Sequence, residues 1–438
     1  MAATAHRPWT LLHAARILAA TYFAGEEYMQ IVDVIASRGV GSSYCTDQRA
    51  QRYAAHIDGL FIEGDPVLPG FKAPREVPEA ICLQLLLDDG SVANGDGSSG
   101  VFPGRAGVDP PVRADEQIQI VEQTIKPLLI GRSLDVFRPL AEELDAVQVN
   151  GGRMHMALRW AISAALLDAV AVARRLTKAE VLADEWGTTM ATSVPPLLGQ
   201  SSNDWEYSLD RCIMRRISSF HRSTRNRKAW EDHPGLLEWM KERVQKYAPG
   251  FIMDVQLDMN GFPGRDYDND TDKIIAYMAE LEAIADPLPI VWATPVEMPD
   301  RDSQIAKMVE IRQAMRAKQM KGSLIADYFC ASAEDHKRFA DAGAADYQMI
   351  HAPTIGSVQG CMDVVVYCRE KGIKPYLAGS ASSTDRTGQV VAHMAAATAP
   401  DLLLMTPGGG IDTPHTIAVN EIERVIAIVR ARSAAAAR

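Results

Sequence analysis

In the second half of this chain, polar residues recur immediately after short apolar runs. In order they are Gln200, His221, Asp254 (with Asp258), Asp327, His351, Ser380 and the stretch Pro407-Gly408-Gly409-Gly410, with a gap at Ala293-Thr294. Asp254 follows Phe-Ile-Met and Asp327 follows Leu-Ile-Ala. A carboxylate at the end of an apolar strand is costly unless it meets a partner, so each faces either a polar site or a salt bridge. Two such carboxylates on nearby strand ends suit a hard divalent cation such as Mg²⁺, which prefers oxygen ligands. His351 follows Gln-Met-Ile, and an imidazole that titrates near neutrality suits proton transfer. His221, after Ser-Ser-Phe, is a weaker candidate alone. His393 and His415 read as surface or packing residues, although His415 stands close behind the glycine stretch.

These residues need a frame that collects strand ends at one place. After residue 190 the rhythm alternates strictly. Strands are expected at Ser193–Leu198, Cys212–Ser218, Phe251–Leu257, Leu288–Trp292, Ser323–Ala326, Asp346–Ile350, Lys374–Leu377 and Leu402–Met405, with helical patterns between most of them. Strand–helix–strand spacing of this kind demands a parallel sheet, and eight strands close a barrel whose active site lies at the strands' C-terminal ends. The first two strands carry the weakest signal. The fold class is therefore α/β, a (β/α)8 barrel over residues 191–430. Residues 1–30 form an extension, 31–190 an α+β domain and 431–438 a tail.

In that α+β domain, Glu79–Leu87 reads as a strand running into a turn at Asp88–Ser91, followed by a Gly/Pro/Asp-rich loop over Asn94–Asp115. Helices are expected at Glu116–Leu129 and Met154–Leu176. The second is alanine-rich and apolar on most faces, so it should be buried. Met1–Ala20 suits an amphipathic surface helix better than a signal peptide, because His13 and Arg16 interrupt its apolar stretch.

Composition excludes several classes. The 438 residues carry a net charge of −11, which argues against a nucleic-acid surface. The basic run Arg211–Lys228 reads as a solvated helix face or a grip on an acidic partner. Six scattered cysteines without a CxxC pair suggest neither zinc nor a disulfide framework. No apolar run is expected to span a bilayer, so a cytoplasmic location is the default. Asp266–Asp272 begins like a calcium loop but lacks the turn glycine and the closing glutamate, and helix capping accounts for it better. The glycine stretch at 407–410 matches no phosphate-loop signature.

The chain resembles the methylaspartate ammonia-lyase family of the enolase superfamily from about Val32 to Arg430. The segments that carry the resemblance are His56-Ile-Asp-Gly, Gly64-Asp-Pro-Val-Leu-Pro-Gly-Phe71, Gln84–Gly90, Ile125–Leu129, Asp184-Glu-Trp186, Leu198-Gly-Gln-Ser201, Ile325-Ala-Asp327 and Asn420-Glu421. It implies an N-terminal capping domain over a modified barrel, a homodimer, a small amino or carboxylic acid substrate and Mg²⁺ held by three carboxylates. Asp254 and Asp327 take the first and third ligand positions, whereas the middle one falls on Ala293, leaving Glu297 or Asp258 as substitutes. The general-base lysine falls on His351, and the second acid/base histidine is kept as His221. Gln200 keeps a substrate contact, while Met349 and the pair Ser380-Ala381 replace others. With His415, these changes imply a rebuilt pocket. The expected chemistry is removal of a proton alpha to a carboxylate followed by elimination, on a changed substrate. Another enolase-superfamily reaction (racemisation, dehydration or metal-independent chemistry) and a non-catalytic small-acid or partner-binding paralogue are the alternatives.

Overall fold

The structure, a computed structural model, describes residues 28–54, 56–201, 204–224, 227–404 and 410–436. The Met1–Ala20 segment and Pro407–Gly409 lie outside them. Cap strands β1 (Ile31–Val40), β2 (Glu79–Leu87) and β3 (Val92–Ser98) form an antiparallel sheet in the order β1-β2-β3. β2 matches the expected strand, and the turn at Asp88–Ser91 joins it to β3. That third strand begins two residues before the stretch read as a loop and runs into it as far as Ser98. Its glycines hide it, and they are there because helix α1 (Met156–Ala173) lies on them. A Cβ on Gly97 would stand 1.8 Å from the Ala157 carbonyl oxygen, and one on Gly95 2.2 Å from that of Ala161. The α1 helix is long and apolar enough by composition to cross a membrane, which corrects the expectation that no run reaches that length, but 83% of it is buried inside the molecule.

The barrel strands are β4 (Leu198–Gln200), β5 (Ser219–Ser223), β6 (Asp254–Asp258), β7 (Ile290–Ala293), β8 (Ser323–Ala326), β9 (Tyr347–His351), β10 (Lys374–Ala378) and β11 (Leu402–Leu404). They pair in parallel in that order, and a parallel bridge between Leu197 and Leu403 closes the ring. Their helices are α2 (Trp205–Arg215), α3 (His233–Tyr247), α4 (Thr271–Ala285), α5 (Arg301–Ala317), α6 (Ala333–Asp341), α7 (Val358–Glu370), α8 (Asp385–Thr398) and α9 (Asp412–Ala436). Of the residues expected to form the second strand, Cys212–Arg215 instead complete α2, whose buried Leu209, Cys212 and Ile213 repeat at helical spacing, and Arg216–Ser218 form the turn into β5. At Asp270 the side chain accepts from the Lys273 amide and caps α4, as the sequence suggests. Much of the basic run is committed within the chain. Arg211 and Arg215 pair with Asp412, and Arg227 pairs with Asp266.

Period-two alternation along each strand decides what reaches the site. Val255 and Leu257 of β6, and Leu324 and Ala326 of β8, pack outward with the helices. Leu198, Val291, Ala293, Ile325, Met349, Tyr376, Ala378, Leu402 and Leu404 form a separate apolar layer inside the barrel. The rim residues continue this inward-facing set.

Candidate active site

β6 overturns one expectation. Its strand begins at Asp254 and ends at Asp258. Both face inward, but four residues separate them, roughly 13 Å along a strand. Asp254 therefore lies at the barrel floor. There burial raises its pKa and the charge of Lys374, the first residue of β10, opposes the rise. The rim carboxylate of β6 is Asp258. The turn Met259-Asn260-Gly261, with Asn260 and Gly261 at positive φ, marks where the strand stops, and this was the available sequence signal. A carboxylate preceding Asn-Gly is at a strand end, whereas one following Phe-Ile-Met can equally be at a start.

Around the rim, successive strands present Gln200, His221, Asp258, Ala293, Asp327 (just past β8) and His351. His351 is buried. Its Nε2 is 3.0 Å from Asp327 Oδ1, and its Nδ1 is 3.1 Å from the Gly379 carbonyl oxygen. A carbonyl only accepts, so Nδ1 carries a proton and Nε2 faces the carboxylate. Burial alone would lower the His351 pKa, but the charge and hydrogen bond of Asp327 and the Gly379 carbonyl outweigh it and raise it above the ordinary value. His221, also buried, stands with Nε2 3.9 Å from Asp258 Oδ2. Burial, reinforced by the charge of Asp327, pushes the Asp258 carboxyl up to about 7, against hydrogen bonds from the Asn260 amide and the Ser223 hydroxyl. The rim thus holds two carboxylate–imidazole pairs.

Five other expected site residues are placed as follows. Gln200 ends β4, and its buried Oε1 has no hydrogen-bond partner among the described residues, leaving an acceptor available to a ligand. Met349 does not reach the rim but packs in the apolar layer beneath it. The Ser380 hydroxyl donates to the Ser99 carbonyl of the cap at 2.8 Å, and the Ala381 carbonyl accepts from Ser42 at 3.2 Å, so both belong to the cap–barrel seam. His415 lies away from His351, in a crevice lined by Leu197, Gly199, Ile217 and Ile411 between the barrel's outer wall and α9. The sequence missed the cap's contribution. Val101, Phe102, Ala106 and Val108 line a crevice together with Asp327, Phe329, His351 and Thr354, and the Val101 amide donates to Thr354 Oγ1 at 2.8 Å.

The donor set does not fit a three-carboxylate Mg²⁺ centre. Ala293 offers a methyl group at the middle position. Glu297, the expected substitute, is instead held by Arg52, Arg105 and Arg265 at 2.8–3.3 Å. Asp254 is at the wrong end, Asp327 is taken by His351, and no cluster of three potential ligands occurs among the described residues.

Comparisons with known proteins bear on this rim. Residues 29–187 and 189–431 match the family profiles described as Methylaspartate ammonia-lyase N-terminus and Methylaspartate ammonia-lyase C-terminus. Methylaspartate ammonia-lyase 1 of Carboxydothermus hydrogenoformans is 34% identical over 413 residues, covering 92% of this chain and 97% of the relative. The crystal structure of Citrobacter amalonaticus methylaspartate ammonia lyase containing (2S,3S)-3-methylaspartic acid superposes with a TM-score of 0.87 at 31% identity, covering 92% of this chain and all of that one. A Mg-complex of beta-methylaspartase from Clostridium tetanomorphum gives a TM-score of 0.84 at 32% identity, with coverage of 92% and 100%. With both halves matched and the capped barrel shared, the chain belongs to the methylaspartate ammonia-lyase family of carbon–nitrogen lyases, within the enolase superfamily.

Proposed function

We propose that this protein is a methylaspartate ammonia-lyase-like enzyme that removes a proton alpha to a carboxylate of a small amino or hydroxy acid and eliminates the neighbouring group, on a substrate other than methylaspartate. One observation carries the reading. His351 on β9 and His221 on β5 stand four strands apart in an eight-stranded ring, on opposite sides of the barrel mouth, each beside a rim carboxylate. Opposed imidazoles suit an elimination. Once His351 is neutral and its Nε2 has turned from Asp327 to the substrate, that nitrogen accepts the alpha proton, the C–H electron pair becomes the double bond, and the leaving amine or hydroxyl departs with its bonding pair and a proton from His221. Asp327 stabilises the imidazolium formed, and the Gly379 carbonyl holds the ring in one tautomer. Gln200 is positioned to hydrogen-bond the substrate. The apolar wall of Val101, Phe102 and Val108 differs from what a purely charged diacid needs, which supports a changed substrate.

Mg²⁺ enters no step of this proposal, because the donor set of this rim departs from three carboxylates. A cytoplasmic homodimer belongs to the same reading. The six free cysteines agree with a reducing compartment. Screening small amino and hydroxy acids for a product absorbing as a conjugated acid tests the function. His351→Ala should cut kcat about 10²- to 10⁴-fold on whichever acid reacts, and full turnover by that variant would remove His351 from the chemistry.

A further inference from the structure

Beyond the histidines, one charged cluster at the cap–barrel junction is out of balance. Arg52 and Arg105 come from the cap, Arg265 follows β6 and Glu297 follows β7. Arg52 grips Glu297 with both Nη atoms at 2.8 and 3.1 Å, Arg105 Nη2 lies at 3.2 Å and Arg265 Nη1 at 3.3 Å. One carboxylate thus faces three guanidinium groups. Asp266, whose charge also acts on Arg265, is paired with Arg227. The effect on Arg265 is direct. Burial and then the like charge of Arg52 lower its pKa, against Glu297.

Arg105 points to a ligand more sharply. Its side chain is 7% exposed. It donates to Gln48 Oε1 and the Tyr328 hydroxyl, both at 2.8 Å, and stacks over the Tyr328 ring at 4.9 Å. Its buried Nε has no partner among the described residues. A clamp joining cap to barrel is satisfied by pairing charges one to one, whereas a buried guanidinium such as Arg105 that shares its carboxylate with two other cations is costly unless an anion arrives. The location completes the case. Phe102 and Ala106, flanking Arg105 in the same loop, line the crevice with Asp327 and His351, and Tyr328 directly follows Asp327.

We propose that Arg52, Arg105 and Arg265 form an anion subsite beside the rim, which takes a carboxylate or phosphate group that the substrate carries beyond its reacting carbons. This rests on the rim being a small-acid site but not on the role of His351. Guanidinium forks match both oxyanions in geometry.

The test is calorimetric titration of the full chain with inorganic phosphate and, separately, with succinate. Saturable binding by at least one of them is expected, weakened about tenfold or more by Arg52→Gln, equivalent to roughly 1.4 kcal/mol. Glu297→Gln should tighten it, because the competing carboxylate is gone. A merely structural clamp would show no such gain. His351→Ala should leave phosphate binding intact, so loss of the proposed catalysis and loss of the subsite are read separately. Phosphate binding alone assigns a phosphate-bearing substrate, and succinate binding alone a carboxylate-bearing one. No saturable binding by either anion, or equal affinity in Arg52→Gln, overturns the subsite. Should Glu297→Gln fail to fold, the partly exposed Arg52 still decides the matter.

Discussion

The chemistry of this rim turns on carboxylates and imidazoles that neutralise one another. Asp258 titrates at about 7 in the folded protein against an ordinary 3.8. Raising a carboxyl pKa means that the folded state binds more protons than the unfolded chain between those two values, so stability falls as pH rises through that window. His351 adds to the same trend. Its pKa is raised, so the stability from its pairing with Asp327 is present below the ordinary histidine value and is lost as pH rises through the folded one. Thermal melts of the wild type should therefore decline from pH 5 to pH 8, and Asp258→Asn should flatten the decline. A wild-type melting temperature that climbs across this range would contradict the burial assigned to Asp258. The sequence placed His351, His221, Gln200 and Asp327 at strand ends; His351 and Gln200 do end β9 and β4 and Asp327 stands just past β8, whereas His221 sits at the middle of β5. It placed Asp254 there too, because a single apolar run does not reveal whether an aspartate opens or closes the strand. Glu297 was unreadable for another reason, since its three arginines come from segments far apart in the chain.

At the level of elements, the contact of β3 with α1 depends on close backbone approach, while β1 and β2 bury apolar side chains. β3 has alternating glycines where α1 crosses it, and neither Gly95 nor Gly97 has room for a methyl group. Gly97→Ala should cost about 1–3 kcal/mol or more, the usual penalty for overpacking, read as a lowered denaturation midpoint. A neutral result would mean that β3 can lift from α1. The same glycines led the sequence to a loop, since a strand of Val-Ala-Asn-Gly-Asp-Gly-Ser lacks β-branched alternation. Cys212–Ser218 failed in the opposite sense. Its apolar residues were read as a strand because the run is short, and only the continuation from Trp205 gives it helical spacing.

Over the whole molecule, cap and barrel share one apolar core, which runs from Leu83 and Leu158 in the cap to Val365 and Val391 on barrel helices. Arg159 of α1 crosses between them, bonding Asp145 at 2.6 Å and the Ile355 carbonyl at 3.1 Å while itself buried. Removing one partner of a buried ion pair costs about 3–5 kcal/mol, so Arg159→Ala should lower the melting transition without splitting it. Two separate transitions in the wild type would show instead that cap and barrel unfold independently. Sequence by itself determined the barrel and a separate α+β domain, because apolar runs at strand and helix spacing can bury themselves in few ways; the family resemblance supplied the cap, and His351 was rightly placed at a strand end. Tertiary structure decided which aspartate of β6 reaches the rim, for which the Asn260-Gly261 turn was the clue in the sequence, and it alone decided that Glu297 belongs to arginines rather than to a metal and that Met349, Ser380, Ala381 and His415 are occupied elsewhere. The reason is physical. Periodicity records the face a residue takes, whereas partners and ends along a strand depend on register and on segments hundreds of residues away.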